Sequence, residues 1–226
     1  MTEVLLSPKW KSILGHVPAD EQDTVHLAGP SGTGKSTLCL QLADEFSRLG
    51  RVLYVCAEER TMTGTIRLRA RLLKIFSQRI MMHDTKNLDE EKREFSSGQY
   101  KFCIVDSIHE MDAGDTEHMA TIGDYPKVVF VFVAQVDWTE KMSRGSSSWR
   151  HAVDIRLWTE VNDEDNSRWA VNIKNRYAPA QHRMFLFKPT SSNSDDHKKK
   201  TAVQSYHSEK AKLAERGRKV WSTSRR

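Results

Sequence analysis

From residue 24 onward, short apolar runs alternate with amphipathic stretches, which predicts strands and helices taken in turn. TVHLAG (24–29) reads as a strand, and STLCLQLADEFSRLG (36–50) as an amphipathic helix ending at Gly50. RVLYVCAEE (51–59) predicts a buried strand, and between Met62 and Ser77 the residues Ile66, Ala70 and Leu73 share one helical face. RIMMH is a short strand and NLDEEKREFSS a charged helix, while KFCIVDSI (101–108) and KVVFVFVAQV (127–136) are further central strands. The succession predicts an α/β fold with a mostly parallel sheet covered on both faces.

After Trp138 the texture changes. TEKMSRGSSSW (139–149) is polar, basic and rich in Gly and Ser, as in a mobile surface loop. Three strand patterns follow, VDIRLWTEV, SRWAVNIKNRY and HRMFLFK, with the turn-like NDEDNS joining the first two, so the sheet is expected to finish antiparallel. Residues 1–23, with Trp10, Ile13 and Leu14, predict a segment that packs on the sheet edge or on a neighbouring subunit. Residues 24–189 form the expected core, and 190–226 a basic tail poorly ordered in isolation.

Composition narrows the class. With 38% hydrophobic and 29% charged residues, the chain suits a soluble globule. Cys39, Cys56 and Cys103 lie in apolar patterns without a CxxC pair, which excludes zinc or redox motifs and predicts buried thiols. The longest apolar run, VVFVFVA, is too short to span a bilayer, and no secretory leader is evident; the expectation is a cytoplasmic protein that does not engage membranes. The net charge of +5 is uneven: eleven Lys and Arg against four acids lie from Lys188 onward, leaving residues 1–187 at −2. The basic character belongs to the tail, a candidate dock for a protein partner.

The chemistry centres on GPSGTGKS (29–36), which stands between a strand and a helix as a phosphate-binding loop must. Backbone N–H groups from Ser31 to Ser36 can wrap a β-phosphate at the positive end of the helix, and Gly29, Gly32 and Gly34 permit close approach. Lys35 is expected to reach the β- and γ-phosphates and Ser36 to ligate Mg²⁺. Pro30, Thr33 and Thr37 complete the expected ATP-binding segment.

Other candidates stand at strand ends. Asp106 closes FCIV and can hold the water shell of Mg²⁺, or merely cap the next helix. Glu58 and Glu59 end a strand where a carboxylate can orient the attacking water, with Glu58 favoured; an ion pair to Arg60 in a solvated turn is the plain alternative. Gln135 can hydrogen-bond a γ-phosphate and pass its loss to the 137–150 loop, or simply end a strand. Lys174 and Arg176 share one strand face, as a surface charge pair or as cations for a transferring phosphoryl group. Trp138, Lys141, Arg144 and Arg150 combine aromatic platforms with cations, as single-stranded nucleic acid requires; tryptophan anchors around a loose loop explain them equally.

Taken in order, GPSGTGKS, GRVLYVCAEE with TIRLRARLL, CIVDSI, VFVAQV, HAVDIRLWTE and IKNRYAP resemble the RecA/RadA ATPase core, closest to the bacterial RadA (Sms) branch, over residues 24–187. The resemblance implies a RecA-like P-loop fold, ATP held at subunit boundaries, and rings or filaments on single-stranded DNA in recombination or repair. It implies the water-activating role for Glu58, the Walker B role for Asp106 and the γ-phosphate sensor for Gln135. IKNRYAP is similar to the family's KNRFG element, making Lys174 and Arg176 candidates to reach the ATP of an adjacent subunit. Tyr177 and Ala178 replace its Phe-Gly, and neither a four-cysteine module nor a protease-like domain accompanies the core. Two other readings follow: a nucleotide-gated interaction module like the KaiC relatives, and a monomeric small-molecule P-loop kinase.

Overall fold

The computed structural model describes residues 6–15, 23–58, 65–136 and 152–189. Eight strands are present among the described residues: β1 (Thr24–Gly29), β2 (Arg51–Cys56), β3 (Ile80–His83), β4 (Tyr100–Asp106), β5 (Val129–Gln135), β6 (Ile155–Val161), β7 (Arg168–Asn175) and β8 (Arg183–Phe187). They form one sheet in the order β3-β2-β4-β5-β1-β6-β7-β8. The first six are mutually parallel, and β7 and β8 extend the sheet antiparallel, as the NDEDNS turn predicts.

The unbroken apolar runs are explained by two covered faces. Alternate residues such as Val25, Leu27, Tyr54, Ile104 and Val131 join a core with helices α1 (Pro8–Leu14), α2 (Lys35–Ser47) and α3 (Thr65–Leu72). Their neighbours, including Leu53, Val55, Cys103, Val105 and Phe132, pack towards α4 (Leu88–Ser96) and α5 (Asp115–Asp124). All three cysteines are buried free thiols. In the first core Phe46 of α2 stacks on Phe102 of β4 with centroids 4.3 Å apart.

Local chemistry fixes the element ends. The Asn87 side chain accepts from the Asp89 N–H at 2.8 Å, and three acids occupy the first turn of α4, both favourable to a helix N-terminus. The helix pattern from Met62 to Ser77 yields only eight described helical residues. Lys74 adopts a left-handed φ of 58°, and the Ile75 N–H returns to the Ala70 carbonyl, which closes α3.

Two helices escape the hydrophobic pattern. α1 is about two turns long, and its Trp10, Ile13 and Leu14 enter the core of their own chain on the flank of β7 and β8. Asn172 and Asn175 of β7 both donate through Nδ2 to the Ile13 carbonyl at 3.0 Å, satisfying the end of that helix. α5, DTEHMATIGD, lacks an apolar stripe because its fully buried positions are His118 and Thr121.

Candidate nucleotide site

Parallel register aligns the strand tips that carry the chemistry. Gly29 at the end of β1 pairs with Gln135 of β5, and Asp106 of β4 pairs with both Cys56 of β2 and Val133 of β5. Glu58 follows β2 by two residues, and its N–H donates to the Asp106 carbonyl. The phosphate loop, Glu58, Asp106 and Gln135 therefore stand along one edge, the carboxyl ends of a parallel sheet, where such folds form their crevices.

A cleft of about 390 Å³ opens there, lined by Ser31, Gly32 and Gly34 to Thr37 of the loop together with Glu58, Arg69, Gln135 and Phe187. That volume is in the range of small-molecule sites. Gly34 begins α2 at φ 99°, a left-handed conformation that glycine adopts without strain. Lys35 is largely buried, and its Nζ donates to the carbonyls of Gly29 and Pro30, both at 2.9 Å. Burial lowers its pKa, while the negative charges of Asp106 and Glu58 oppose the shift. Both carboxylates thus lie within electrostatic reach of the loop lysine.

Asp106 is buried behind the cleft, and Tyr54 Oη donates to its Oδ2 at 2.9 Å. Burial first, then Asp106, pushes the Tyr54 phenol well above its usual range, so Tyr54 keeps its proton and remains a donor.

β6 and the antiparallel extension hold the loop from the side. Thr33 and Thr159 of β6 share a buried hydrogen bond of 2.6 Å, Arg168 of β7 donates through Nε to the Gly32 carbonyl at 3.1 Å, and Phe187 of β8 lies against Gly34. A Cβ at Gly29 would lie 2.2 Å from Thr159 Oγ1. None of Tyr54, Thr159, Arg168 and Phe187 carries a motif of its own, because their partners are remote in sequence. Arg69 did carry a signal: it sits on the face of α3 shared by Ile66 and Leu73, where an amphipathic helix places apolar residues.

Lys174 and Arg176 are not brought to this cleft. Register pairs Arg168 with Val161 at the tip of β6 and Lys174 with Arg156 near its start. Lys174 is therefore about 20 Å along β7 from the arginine that touches the loop, at 3.2–3.4 Å per residue. There Lys174 Nζ donates to the Val153 carbonyl at 2.5 Å and Arg176 pairs with Asp154 at 3.0 Å. Glu59 and the nucleic-acid candidates Trp138, Lys141, Arg144 and Arg150 lie outside the described residues, as does the tail from residue 190.

A family model described as an AAA domain matches residues 19–142. Proteins called DNA repair protein RadA are similar: that of Chlamydia muridarum is 29% identical over 195 residues, covering 80% of this chain and 42% of that protein. That of Chlamydia pneumoniae is 31% identical over 192 residues, covering 78% and 42%. The chain is a P-loop ATPase core of the RecA/RadA superfamily. It spans less than half the length of these curated relatives. In fold it is similar to the RadB recombinase, at a TM-score of 0.58 and 18% identity over 82% of this chain and 96% of that one. A KaiC-like protein from Pyrococcus horikoshii matches at a TM-score of 0.56 and 18% identity, covering 72% of this chain and 84% of its own. This ATPase core keeps the RecA-like sheet with its antiparallel end. Among the described residues no helix is long and apolar enough to cross a membrane.

Proposed function

We propose that this ATPase core is a nucleotide-gated switch that hydrolyses ATP, with each site completed by Lys174 and Arg176 of an adjacent copy in a ring or filament. One observation carries the reading. The loop, Glu58 and Gln135 share a cleft, whereas Lys174 and Arg176, which the family resemblance makes candidates to reach an ATP, sit at the other end of β7. Such cations serve an ATP only across a subunit boundary.

In this scheme the loop N–H groups and Lys35 hold the β- and γ-phosphates, and Glu58 orients water for in-line attack and takes its proton. Gln135 contacts the γ-phosphate and responds to its departure through the segment that follows β5. Ser36 and Asp106 offer the hard oxygen donors that fit Mg²⁺, with Tyr54 fixing the Asp106 carboxylate. Bound there with the phosphates, Mg²⁺ would neutralise charge that develops in transfer.

What the switch gates is an interaction with a partner, for which the basic tail is one candidate, in the cytoplasm. The RadA-named relatives favour a second reading, in which the gated partner is single-stranded DNA met through Trp138, Lys141, Arg144 and Arg150 in recombination or repair. Hydrolysis by the assembled protein, measured with and without single-stranded DNA, separates the two. A rate that rises with DNA supports the second, and an unchanged rate supports the partner switch. The monomeric kinase reading gives Gln135 and the Lys174, Arg176 pair no task; phosphoryl transfer to a metabolite by a strict monomer would restore it.

A further inference from the structure

Helix α3 carries three arginines in TIRLRARL, and they do not face the same way. Arg67 and Arg71 are exposed, whereas Arg69 is half-buried between the core anchors Ile66 and Leu73 and lines the cleft beside Lys35 and Glu58. Placing a guanidinium on the apolar face of a helix costs desolvation that a solvent-facing position avoids. A long cation on the wall of a phosphate cleft can make charge-assisted hydrogen bonds to a bound anion.

We propose that Arg69 is a binding residue for the γ-phosphate, a second cation supplied in cis beside Lys35. The inference rests on the ATP-site reading and adds a residue to it.

Two observations put Arg69 beside the groups that the ATP-site reading assigns to the γ-phosphate. Glu58 and Arg69 line one cleft, and Glu58 is close enough to Lys35 to act on its charge. The buried Cys39 thiol, one helical turn beyond Lys35, feels the charges of Asp106, Lys35 and Arg69, so all three lie within electrostatic reach of the start of α2. The anchoring of α3 is what aims the side chain. Ile66 and Ala70 are buried against the first core and fix the helix face on which Arg69 stands. A guanidinium presents a rigid fork of donors that matches the oxygens of a terminal phosphoryl group, which a lysine matches only as a point charge.

The consequence is selectivity for the triphosphate. With Arg69 in place, ATP is held by two cations of the same chain without help from a neighbour.

The test compares wild type, Arg69→Ala and Arg69→Lys for binding a fluorescent, non-hydrolysable ATP analogue and the matching ADP, with Lys35→Ala as control and thermal melting to confirm the fold. Loss of a charge-assisted hydrogen bond predicts triphosphate binding weakened about tenfold or more in Arg69→Ala, diphosphate binding by less than about threefold, and an intermediate result for Arg69→Lys. Equal weakening for both nucleotides, or no change in either with the melting point intact, overturns the proposal. Should Arg69→Ala fail to fold, Arg69→Gln, which keeps much of the stem, is read against the same two outcomes. Wild-type protein that binds neither nucleotide overturns the ATP-site reading and this inference with it. Selective loss of both nucleotides in Lys35→Ala alone retains the first and rejects the second.

Discussion

Gly29 leaves no space for a side chain: a Cβ there would approach Thr159 Oγ1 to 2.2 Å and the Thr159 carbonyl to 2.8 Å. The second of these atoms is backbone, so a methyl group must displace β6 or the loop. Gly29→Ala is expected to lower stability by about 1–3 kcal/mol and to weaken nucleotide binding by misplacing the two carbonyls that Lys35 holds. Thermal melting and a fluorescent-ATP titration read both effects; unchanged values in each would show that the loop tolerates the shift. Tyr54 makes a separate prediction. Tyr54→Phe removes the 2.9 Å hydrogen bond to Asp106 Oδ2 and leaves the ring in the core. Nucleotide affinity without Mg²⁺ should stay unchanged, while the gain on adding Mg²⁺ falls by about tenfold, the size expected for a hydrogen bond to a charged group. An equal gain in both proteins would mean that Tyr54 does not position the carboxylate.

At the scale of elements, legibility in the sequence followed the range of the interactions. β1, β2, β4 and β5 are buried along nearly their whole length because both their faces are covered, and their mostly apolar runs show that in composition alone. The phosphate loop is equally plain, since its function is carried by eight consecutive residues. α5 was hidden because its buried side is made by His118 and Thr121, and α1 because seven residues are too few to establish a period. The support of the loop by Thr159, Arg168 and Phe187 was hidden for another reason: each meets its partner across more than a hundred residues. The docking of α1 is testable in its own right. Ile13 is fully buried, and its carbonyl accepts from Asn172 and Asn175. Ile13→Ala should cost about 2–5 kcal/mol in urea unfolding. A loss below about 1 kcal/mol would mean that α1 does not hold β7 and β8.

For the whole molecule, two buried titratable groups set opposite pH limits. Burial first, with Arg156 and His109 adding to it and Asp115 opposing, lowers the His26 pKa to about 3. The unfolded chain takes up that proton near pH 6.5 and the folded one does not, so stability falls as pH drops from about 6.5 towards 3. Glu91 behaves in the other sense: burial raises its pKa to about 7 against the opposing pull of His83. Its contribution is fully present below about pH 4.5, the unfolded value, and is lost as pH rises to about 7. Glu91→Gln should flatten the slope of unfolding free energy against pH between those values and leave the acid limb in place. An unchanged slope would show that Glu91 does not ionise late. The same sheet also separates the phosphate loop, at the tips of the parallel strands, from Lys174 and Arg176 at the far end of β7.

That separation gives the central claim its most direct test, which is ATP hydrolysis by a mixture of two defective proteins. Lys35→Ala lacks the loop lysine but keeps the distal cations, and the Lys174→Ala, Arg176→Ala double variant keeps the loop but lacks them. Each alone should be inactive while remaining folded. Mixed, the cations of the first should complete the cleft of the second, and hydrolysis should return to a substantial fraction of the wild-type rate. A mixture as inactive as its components, or a double variant as active as wild type, would contradict a site shared between subunits.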